Sequence, residues 1–185
     1  MEVVLNIINK LWPEMLIVSV ILITFRFINV LENKIKLNFN TIFKDMVIFC
    51  FVNYVIALFY IISFQDVSWS TYNITPFKEI FRYEIGSTLF FKNIIGNMVM
   101  FIPFGLAIPV ILKTDKIRSV LFLSFTTSLT IEITQLLIGR VFDVDDILLN
   151  ILGGIIGLFI YKIINKIIKL IRGKYEQNRN IQSNK

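Results

Sequence analysis

Five apolar stretches, each about 20 residues long, constrain the fold of this chain more than any other feature of its sequence. An α-helix needs about 20 mainly apolar residues to cross the hydrocarbon core of a bilayer. The stretches lie at residues 13–31, 46–64, 93–112, 117–138 and 144–164. The sequence therefore predicts an all-α integral membrane protein with about five transmembrane helices, which form a single membrane domain over residues 1–172.

The composition supports a membrane protein and excludes several kinds of active site. Hydrophobic residues make up 56% of the 185 residues, and the mean hydropathy is +0.73, whereas a soluble domain is typically about 45–50% apolar. The chain contains no histidine, which excludes Ser-His-Asp and Cys-His catalysis and metal sites with histidine ligands. Cys50 is the single cysteine, so no intrachain disulfide is possible. In a membrane protein, the net charge of +6 indicates contact with anionic lipid rather than with nucleic acid.

Lys and Arg residues are distributed unevenly between the connecting segments, which predicts the orientation of the chain. Most of the 19 lie between the first and second stretches, between the third and fourth, and after the fifth. Since segments rich in Lys and Arg remain in the cytoplasm, the N-terminus is expected outside and the C-terminus inside. The basic and polar tail at residues 173–185 is then cytoplasmic, and we expect anionic inner-leaflet lipid to bind there. Lys10 precedes the first stretch without a small-residue cleavage site, so this stretch is expected to be retained as a span.

Ionisable and amide side chains gather at one predicted face of the bundle. Glu132 lies near the end of the fourth stretch, and Arg140 and a D-x-D-D run at residues 143–146 precede the fifth. An ionisable side chain in or near the hydrocarbon of a membrane is costly, so these residues are candidates for a functional site. In the predicted orientation this face is outside the cell. The expected ligand-binding residues that share it are Asn93, Asn97, Ser128, Glu132, Gln135, Arg140, Asp146, Asn150, Pro76 and Phe77.

The same residues also have structural interpretations that the sequence leaves open. Glu132 and Arg140 can form a buried ion pair that serves packing, and Ser128 can belong to a helix–helix seam of small polar residues. Asp143 or Asp145 can cap the fifth helix, because the helix dipole favours acids at its N-terminus. Three acids in four residues are only a weak signal for a divalent cation, so we expect no metal and no cofactor.

The long outer connection at residues 65–92 has the pattern of a short helix. Thr75 and Pro76 are typical of a helix start, and apolar residues recur at near-helical spacing over residues 77–85. The sequence therefore predicts a short amphipathic helix in the outer interface or over the polar face. Trp69, in the same connection, is a suitable interface anchor.

Small residues and proline are expected to shape two of the spans. Gly153, Gly154 and Gly157 favour close helix packing on the fifth span. Pro103 is expected to kink the third span. Such a kink either opens a cavity near the middle of the membrane or matches the shapes of neighbouring helices.

Four separated motifs together resemble the VanZ-like family of small bacterial membrane proteins. The matching stretches are NITPF at 73–77, NIIGN to FIPFG at 93–105, IEITQ with Arg140 at 131–140, and FDVDD to GG at 142–154. The resemblance implies a multi-pass protein of the bacterial plasma membrane. The founding member of the family is associated with antibiotic resistance to the glycopeptide teicoplanin, which acts on cell-wall precursors outside the membrane.

Three functional hypotheses follow from the residues and the resemblance. The first is a non-catalytic cell-envelope factor that binds a lipid-linked cell-wall precursor or a glycopeptide through the outer polar face. The second is a membrane-embedded enzyme that acts on such a headgroup by acid–base catalysis. Its candidate catalytic residues are Glu132, Asp143, Asp145, Asp146 and Arg140. The third is a small transporter or flippase, for which five spans without an internal repeat are few.

Overall fold

The computed structural model describes residues 2–32, 34–35, 38–63 and 72–183 of the chain. The helices and strands in this part are α1 (Glu2–Leu31), α2 (Phe39–Ser63), β1 (Tyr72–Asn73), α3 (Thr88–Phe90), a π-helical turn (Phe91–Ile95), α4 (Gly96–Leu112), α5 (Ile117–Leu137), β2 (Phe142–Asp143) and α6 (Val144–Ser183). Trp69, the predicted interface anchor, lies outside the described residues.

Five helical segments of the described chain are long and apolar enough to cross a membrane, which confirms the predicted fold class. They are Asn9–Leu31, Phe39–Tyr60, Thr88–Leu112, Ile117–Leu137 and Val144–Tyr175. The helix ends differ from the predicted ones. The first helix begins at Glu2 and includes Pro13, and α2 begins at Phe39, where the side chain of Asn38 accepts a hydrogen bond of 2.9 Å from the backbone amide of Thr41.

The last helix, α6, continues far beyond its predicted end at residue 164 and reaches Ser183. Lys, Arg, Ile and Leu predominate in the first part of this extension, and these residues either favour a helix or cost it little. Lys and Arg residues therefore follow the predicted apolar stretch, but the helix continues through them. The tail at residues 173–185 is helical as far as the structure describes it.

The third span changes its helical form near its start. Ser87 caps α3, because its side-chain oxygen accepts a hydrogen bond of 3.1 Å from the backbone amide of Phe90. The π-helical turn follows before α4 begins at Gly96. Turns of this kind are frequent at functional sites, where the extra residue redirects a side chain. Asn93, a predicted site residue, lies within the turn.

Glycines bring α4 and α6 into backbone contact at the centre of the bundle. A Cβ atom on Gly105 would lie 1.9 Å from the carbonyl oxygen of Gly154. A Cβ atom on Gly157 would lie 2.2 Å from the carbonyl oxygen of Ile102, and one on Gly153 would lie 2.1 Å from that of Met98. The predicted role of the glycines in close packing is confirmed.

The core surrounds this contact, and α1 lies at the edge of the bundle. The buried core side chains are Leu58, Phe101, Phe104, Ile108, Val120, Ile131 and Leu158. The most apolar part of α1, within Asn9–Leu31, has no residue buried inside the protein. The helix α1 packs against α2. An ion pair of 2.6 Å between Nε of Arg26 and Oδ2 of Asp45 joins these two helices.

The two short strands join distant connections at one end of the bundle. They pair in parallel, with Tyr72 opposite Phe142 and Asn73 opposite Asp143. One connection joins α2 to α3, and the other joins α5 to α6. The pairing therefore holds the long loop against the start of α6.

A run of turns follows β1, and the predicted short amphipathic helix does not form. Phe77 has a left-handed backbone with a φ of 68°, which interrupts a right-handed helix. Backbone hydrogen bonds from Phe81 to Phe77 (3.1 Å) and from Arg82 to Glu79 (3.2 Å) close separate turns. The prediction is wrong because the apolar spacing carries no information about the distant carboxylate that binds this segment.

The contact between α4 and α6 predicts how two glycines respond to the same change. Gly105→Ala must separate the two backbones and should lower the free energy of unfolding by about 1–3 kcal/mol. Gly173→Ala is the control, because a Cβ atom there meets nothing within 4 Å and alanine favours a helix. Thermal unfolding in detergent should show a lower midpoint for Gly105→Ala alone. Equal midpoints for the two variants would contradict the packing described.

Candidate functional site

A polar cluster lies at the end of the bundle where α4 and α6 begin and α5 ends. We use this name for Asn73, Glu79, Asn97, Glu132, Gln135, Arg140, Asp143, Asp145 and Asp146. Hydrogen bonds connect most of its members across five segments of the chain. The cluster contains most of the predicted site residues, and it also includes Asn73 and Glu79, which the sequence analysis did not select.

Asp145 is the anchor of the long loop. Its side chain is only 1% exposed, and its carboxylate accepts hydrogen bonds from the backbone amides of Phe77 (2.5 Å), Glu79 (2.7 Å) and Ile80 (3.3 Å). The left-handed backbone of Phe77 lets these amides converge, which is the arrangement of an anion-binding nest. Asp145 thus fills a nest with a carboxylate of the same chain, and it has no acceptor capacity directed outward.

Asp143 caps α6 and holds β1. Its Oδ1 atom accepts hydrogen bonds from the backbone amide of Asp145 (2.9 Å) and from Nδ2 of Asn73 (3.0 Å). The capping interpretation is therefore confirmed for Asp143. Burial raises the pKa of the Asp143 carboxyl, while these two hydrogen bonds oppose that shift. The side chain is only half-buried, so part of the carboxylate remains accessible.

Glu132 is satisfied inside the protein. It is 1% exposed, and its Oε2 atom accepts a hydrogen bond of 2.8 Å from the backbone amide of Asp143. With its amide nitrogen turned toward Glu132, Gln135 lies 3.2 Å and 3.3 Å from the two carboxylate oxygens. Glu132 therefore connects α5 to β2 and does not face outward.

Arg140 supplies positive charge to the cluster. Gly139, with a φ of 80°, turns the chain after α5, and the Arg140 backbone amide donates to the Gln135 carbonyl at 2.8 Å. The guanidinium interacts electrostatically with the carboxylates of Glu132 and Asp146. Arg140 is half-buried, so it can act both on the cluster and on a bound group.

Asp146 and Asn97 form the part of the cluster that joins α6 to α4. Nδ2 of Asn97 donates to Oδ1 of Asp146 at 2.5 Å, and both residues are half-buried. Asn93 is half-buried in the π-helical turn, four residues before Asn97. These three residues are therefore less buried than Glu132 and Asp145, which are each 1% exposed.

The loop contributes the acidic side chain of Glu79 to the cluster. Oε2 of Glu79 lies 3.0 Å from Nη1 of Arg82 and 3.4 Å from the hydroxyl oxygen of Tyr83. Burial and the Glu79 carboxylate raise the pKa of the Tyr83 hydroxyl. The helical spacing of the loop does not predict this group, because turns bring the backbone amide of Glu79 to Asp145 of α6.

Two predicted site residues belong to the helix seam instead of the open cluster. Nδ2 of Asn150 donates to Oγ of Ser128 at 2.8 Å, and both side chains are buried between α5 and α6. This geometry fits the interpretation of Ser128 as part of a seam. Pro76 and Phe77 are exposed on the loop, where Phe77 contributes its backbone amide to the nest.

The members of the cluster thus divide into two groups with different chemical roles. Glu132 and Asp145 use their carboxylates to hold backbone amides inside the protein. The less buried residues are Asn97, Arg140, Asp143 and Asp146 of the cluster and the neighbouring Asn93. Among the residues that the structure describes, no group of three or more His, Cys, Asp or Glu side chains is arranged to hold a metal ion.

Comparisons with known proteins place these observations in a family. The family model described as VanZ/LLP1 matches residues 46–165. The chain is 33% identical over 108 residues to "Protein VanZ" of Enterococcus faecium, an alignment that covers 57% of this chain and 62% of that protein. The chain therefore spans less than two thirds of the length of this relative. No solved structure matches the chain.

The role of Asp145 as a loop anchor predicts how the loop responds to its removal. Asp145→Ala leaves three backbone amides without their acceptor, and a hydrogen bond to a charged group contributes about 1.5–3 kcal/mol. We expect trypsin to cleave after Lys78 and Arg82 at least about tenfold faster, because cleavage follows the population of the open loop. Peptide mass spectrometry of the purified protein measures this rate.

The control for this experiment is Asp115→Ala in the exposed link between α4 and α5. It removes the same charge far from the loop, and it should leave cleavage after Lys78 and Arg82 unchanged. If Asp145→Ala is cleaved no faster than the wild type and this control, the carboxylate does not hold the loop.

Proposed function

The chain belongs to the VanZ/LLP1 family, and we propose that it is a cell-envelope protein that binds a polar group of a lipid-linked cell-wall component or of a glycopeptide. The less buried residues of the polar cluster form the binding site, and binding changes access to the bound component. The observation that carries this proposal is the hydrogen-bonded pair of Asp146 and Asn97, which is only partly buried, whereas Glu132 and Asp145 are each 1% exposed and are hydrogen-bonded inside the protein.

The rigid base of the cluster supports recognition. Asp145 and Glu132 fix the loop and β2 by hydrogen bonds to backbone amides. Side chains that are fixed before binding lose little conformational entropy when a ligand arrives. Asp143 and Asp146 are therefore held in place, and their remaining acceptor capacity is directed to a ligand.

The charges of the cluster favour an amine or a sugar over a phosphate. Its ionisable members are Glu79, Glu132, Asp143, Asp145, Asp146 and Arg140, so carboxylates outnumber cations. Carboxylates accept hydrogen bonds from ammonium and hydroxyl groups, and the amides of Asn93 and Asn97 both donate and accept. Arg140 suits a carboxylate of the same ligand. Sugars and peptide amines of cell-wall components carry these groups.

The distribution of Lys and Arg supports an outer location for the site. Most of these residues lie at the end of the bundle opposite the cluster or in the second half of α6. By the positive-inside tendency, that end is cytoplasmic. We therefore propose that the N-terminus lies outside, the C-terminus lies in the cytoplasm, and the cluster meets components of the cell wall.

A second candidate function is a membrane-embedded enzyme that acts on a cell-wall precursor headgroup. The observation that favours it is Asp143, which is half-buried and has a pKa raised by burial, because a general base works best with a pKa near the ambient pH. Arg140 would stabilise negative charge in the transition state. Glu132 is less suited to this role, because both oxygens of its carboxylate already have donors within the protein.

The binding proposal predicts the loss of function on a change of one carboxylate. In a teicoplanin-sensitive host we expect the wild-type chain to protect and Asp146→Asn to lose protection at equal membrane abundance. Loss of a hydrogen bond to a charged group should also weaken binding of teicoplanin to the purified protein roughly tenfold. Growth inhibition, quantified membrane protein and a binding titration measure these effects.

The matched control is Asp115→Asn, the same change at the opposite end of the bundle, which should behave as the wild type. Equal binding by the wild type and Asp146→Asn would contradict the proposed site. If Asp143→Asn keeps binding but loses protection, the result favours the enzyme. If the wild-type chain neither protects nor binds, the ligand is not teicoplanin.

The proposed orientation is tested by labelling of cysteines in intact cells. Cys50→Ala first removes the single native cysteine, and Val141→Cys then places one in the connection between α5 and α6. We expect this cysteine to react with a membrane-impermeant maleimide. Gln177→Cys in the long extension of α6 should react only after the cells are opened, and the reverse pattern would refute the orientation.

A further inference from the structure

We infer that an apolar groove at the end opposite the polar cluster binds an acyl chain of an anionic phospholipid. The groove has a volume of about 820 Å³. It lies between the first half of α2, the second half of α4 and the middle of α6, beside the link from α4 to α5. It is separate from the polar cluster, so its occupant differs from the ligand of the proposed function.

The walls of the groove are mainly apolar. Met46 and Phe51 of α2, Ala107 and Val110 of α4, and Ile164 of α6 are among the side chains that line it. All three helices belong to segments that are long and apolar enough to cross a membrane. A groove between such helices opens toward hydrocarbon, where an acyl chain is the available apolar occupant.

Two features reduce the number of unsatisfied polar groups in the groove. Pro103 and Pro109 line it and carry no backbone N–H group. The hydroxyl of Tyr54 donates a hydrogen bond to the carbonyl oxygen of Met100, so its polar atom is satisfied within the protein. The kink that the sequence predicts at Pro103 is consistent with an opening of the bundle at this level.

The length of the groove matches one leaflet of a bilayer. On α4 it extends from Pro103 to Lys113, which corresponds to about 15 Å at 1.5 Å per residue of helix. The hydrocarbon core of a bilayer is about 30 Å thick. One acyl chain occupies one leaflet, so the groove and the chain have corresponding lengths.

Charge at the mouth of the groove indicates the headgroup. Lys113 lines the groove and is exposed, and its left-handed backbone with a φ of 54° ends α4. Lys116 and Arg118 follow within five residues and are also exposed. Asp115 also lines the groove, but the link over residues 113–118 carries three cations and one acid. Lysine binds phosphate as a point charge, and basic residues at a membrane surface attract anionic lipid.

The single cysteine gives a direct test of the groove. Cys50 is exposed and lines the groove, so a bound acyl chain should protect its thiol from N-ethylmaleimide. We expect phosphatidylglycerol, added to the detergent-purified protein, to slow alkylation at a lower mole fraction than phosphatidylcholine. The mass of the intact protein reports the extent of the reaction.

Three variants separate the parts of this proposal. Lys113→Gln should weaken the preference for phosphatidylglycerol roughly fivefold, since one cation near the headgroup is lost. Lys92→Gln, at the other end of the bundle, is the matched control and should keep the preference. Val110→Trp fills the groove and should remove the effect of both lipids on the alkylation rate.

Two outcomes would overturn the proposal. One is equal protection of Cys50 by the two lipids, which indicates general contact with lipid only. The other is protection that depends on protein concentration in the absence of lipid, which indicates a second copy of the chain in the groove. Equal alkylation of wild type and Lys113→Gln without lipid verifies that the variant keeps the fold around Cys50.

Discussion

Asp145 and Glu132, the two most buried acids in the part of the chain that the structure describes, must find hydrogen-bond donors inside the protein. The architecture of one end of the bundle depends on how they do so. Burial of a charged carboxylate is costly unless donors surround it. Asp145 takes its donors from the long loop, and Glu132 takes one from β2 and others from Gln135. The acids thereby convert irregular connections into a fixed surface, on which Asp143 and Asp146 keep accessible polar atoms.

The close contact of α4 and α6 gives the bundle two ends with different chemistry. Gly105 and Gly154 allow the two backbones to touch, so the start of α6 lies near the start of the third span and Asn97 reaches Asp146. At the opposite end, α4 contains two prolines and an apolar groove lies between it and α2 and α6. A polar surface and an apolar groove thus occupy opposite ends of the bundle, and both include α4 and α6.

The sequence predicts those features that depend on local composition or on regular spacing. Apolar length predicts the five spans, and glycines at 153, 154 and 157 predict the close packing of α6. The D-x-D-D run predicts the location of the polar cluster, but it does not distinguish Asp145, which is buried in a nest, from Asp146, which is less buried. That difference depends on the backbone of Phe77 and Glu79, which lie more than 60 residues earlier. Helical spacing in the same loop gives a wrong helix, because a long-range hydrogen bond to Asp145 overrides the local pattern.

Hydrogen exchange of the loop amides is the most direct test of the claim that buried acids organise this site. Mass spectrometry with residue-level fragmentation can follow the amides of Phe77, Glu79 and Ile80 in the purified protein. These amides lie in turns outside regular helices, yet the hydrogen bonds to Asp145 predict protection comparable to that of the neighbouring helix α4. Exchange as fast as that of an unstructured peptide would show that the nest does not persist, and it would contradict the account of both the loop and the site.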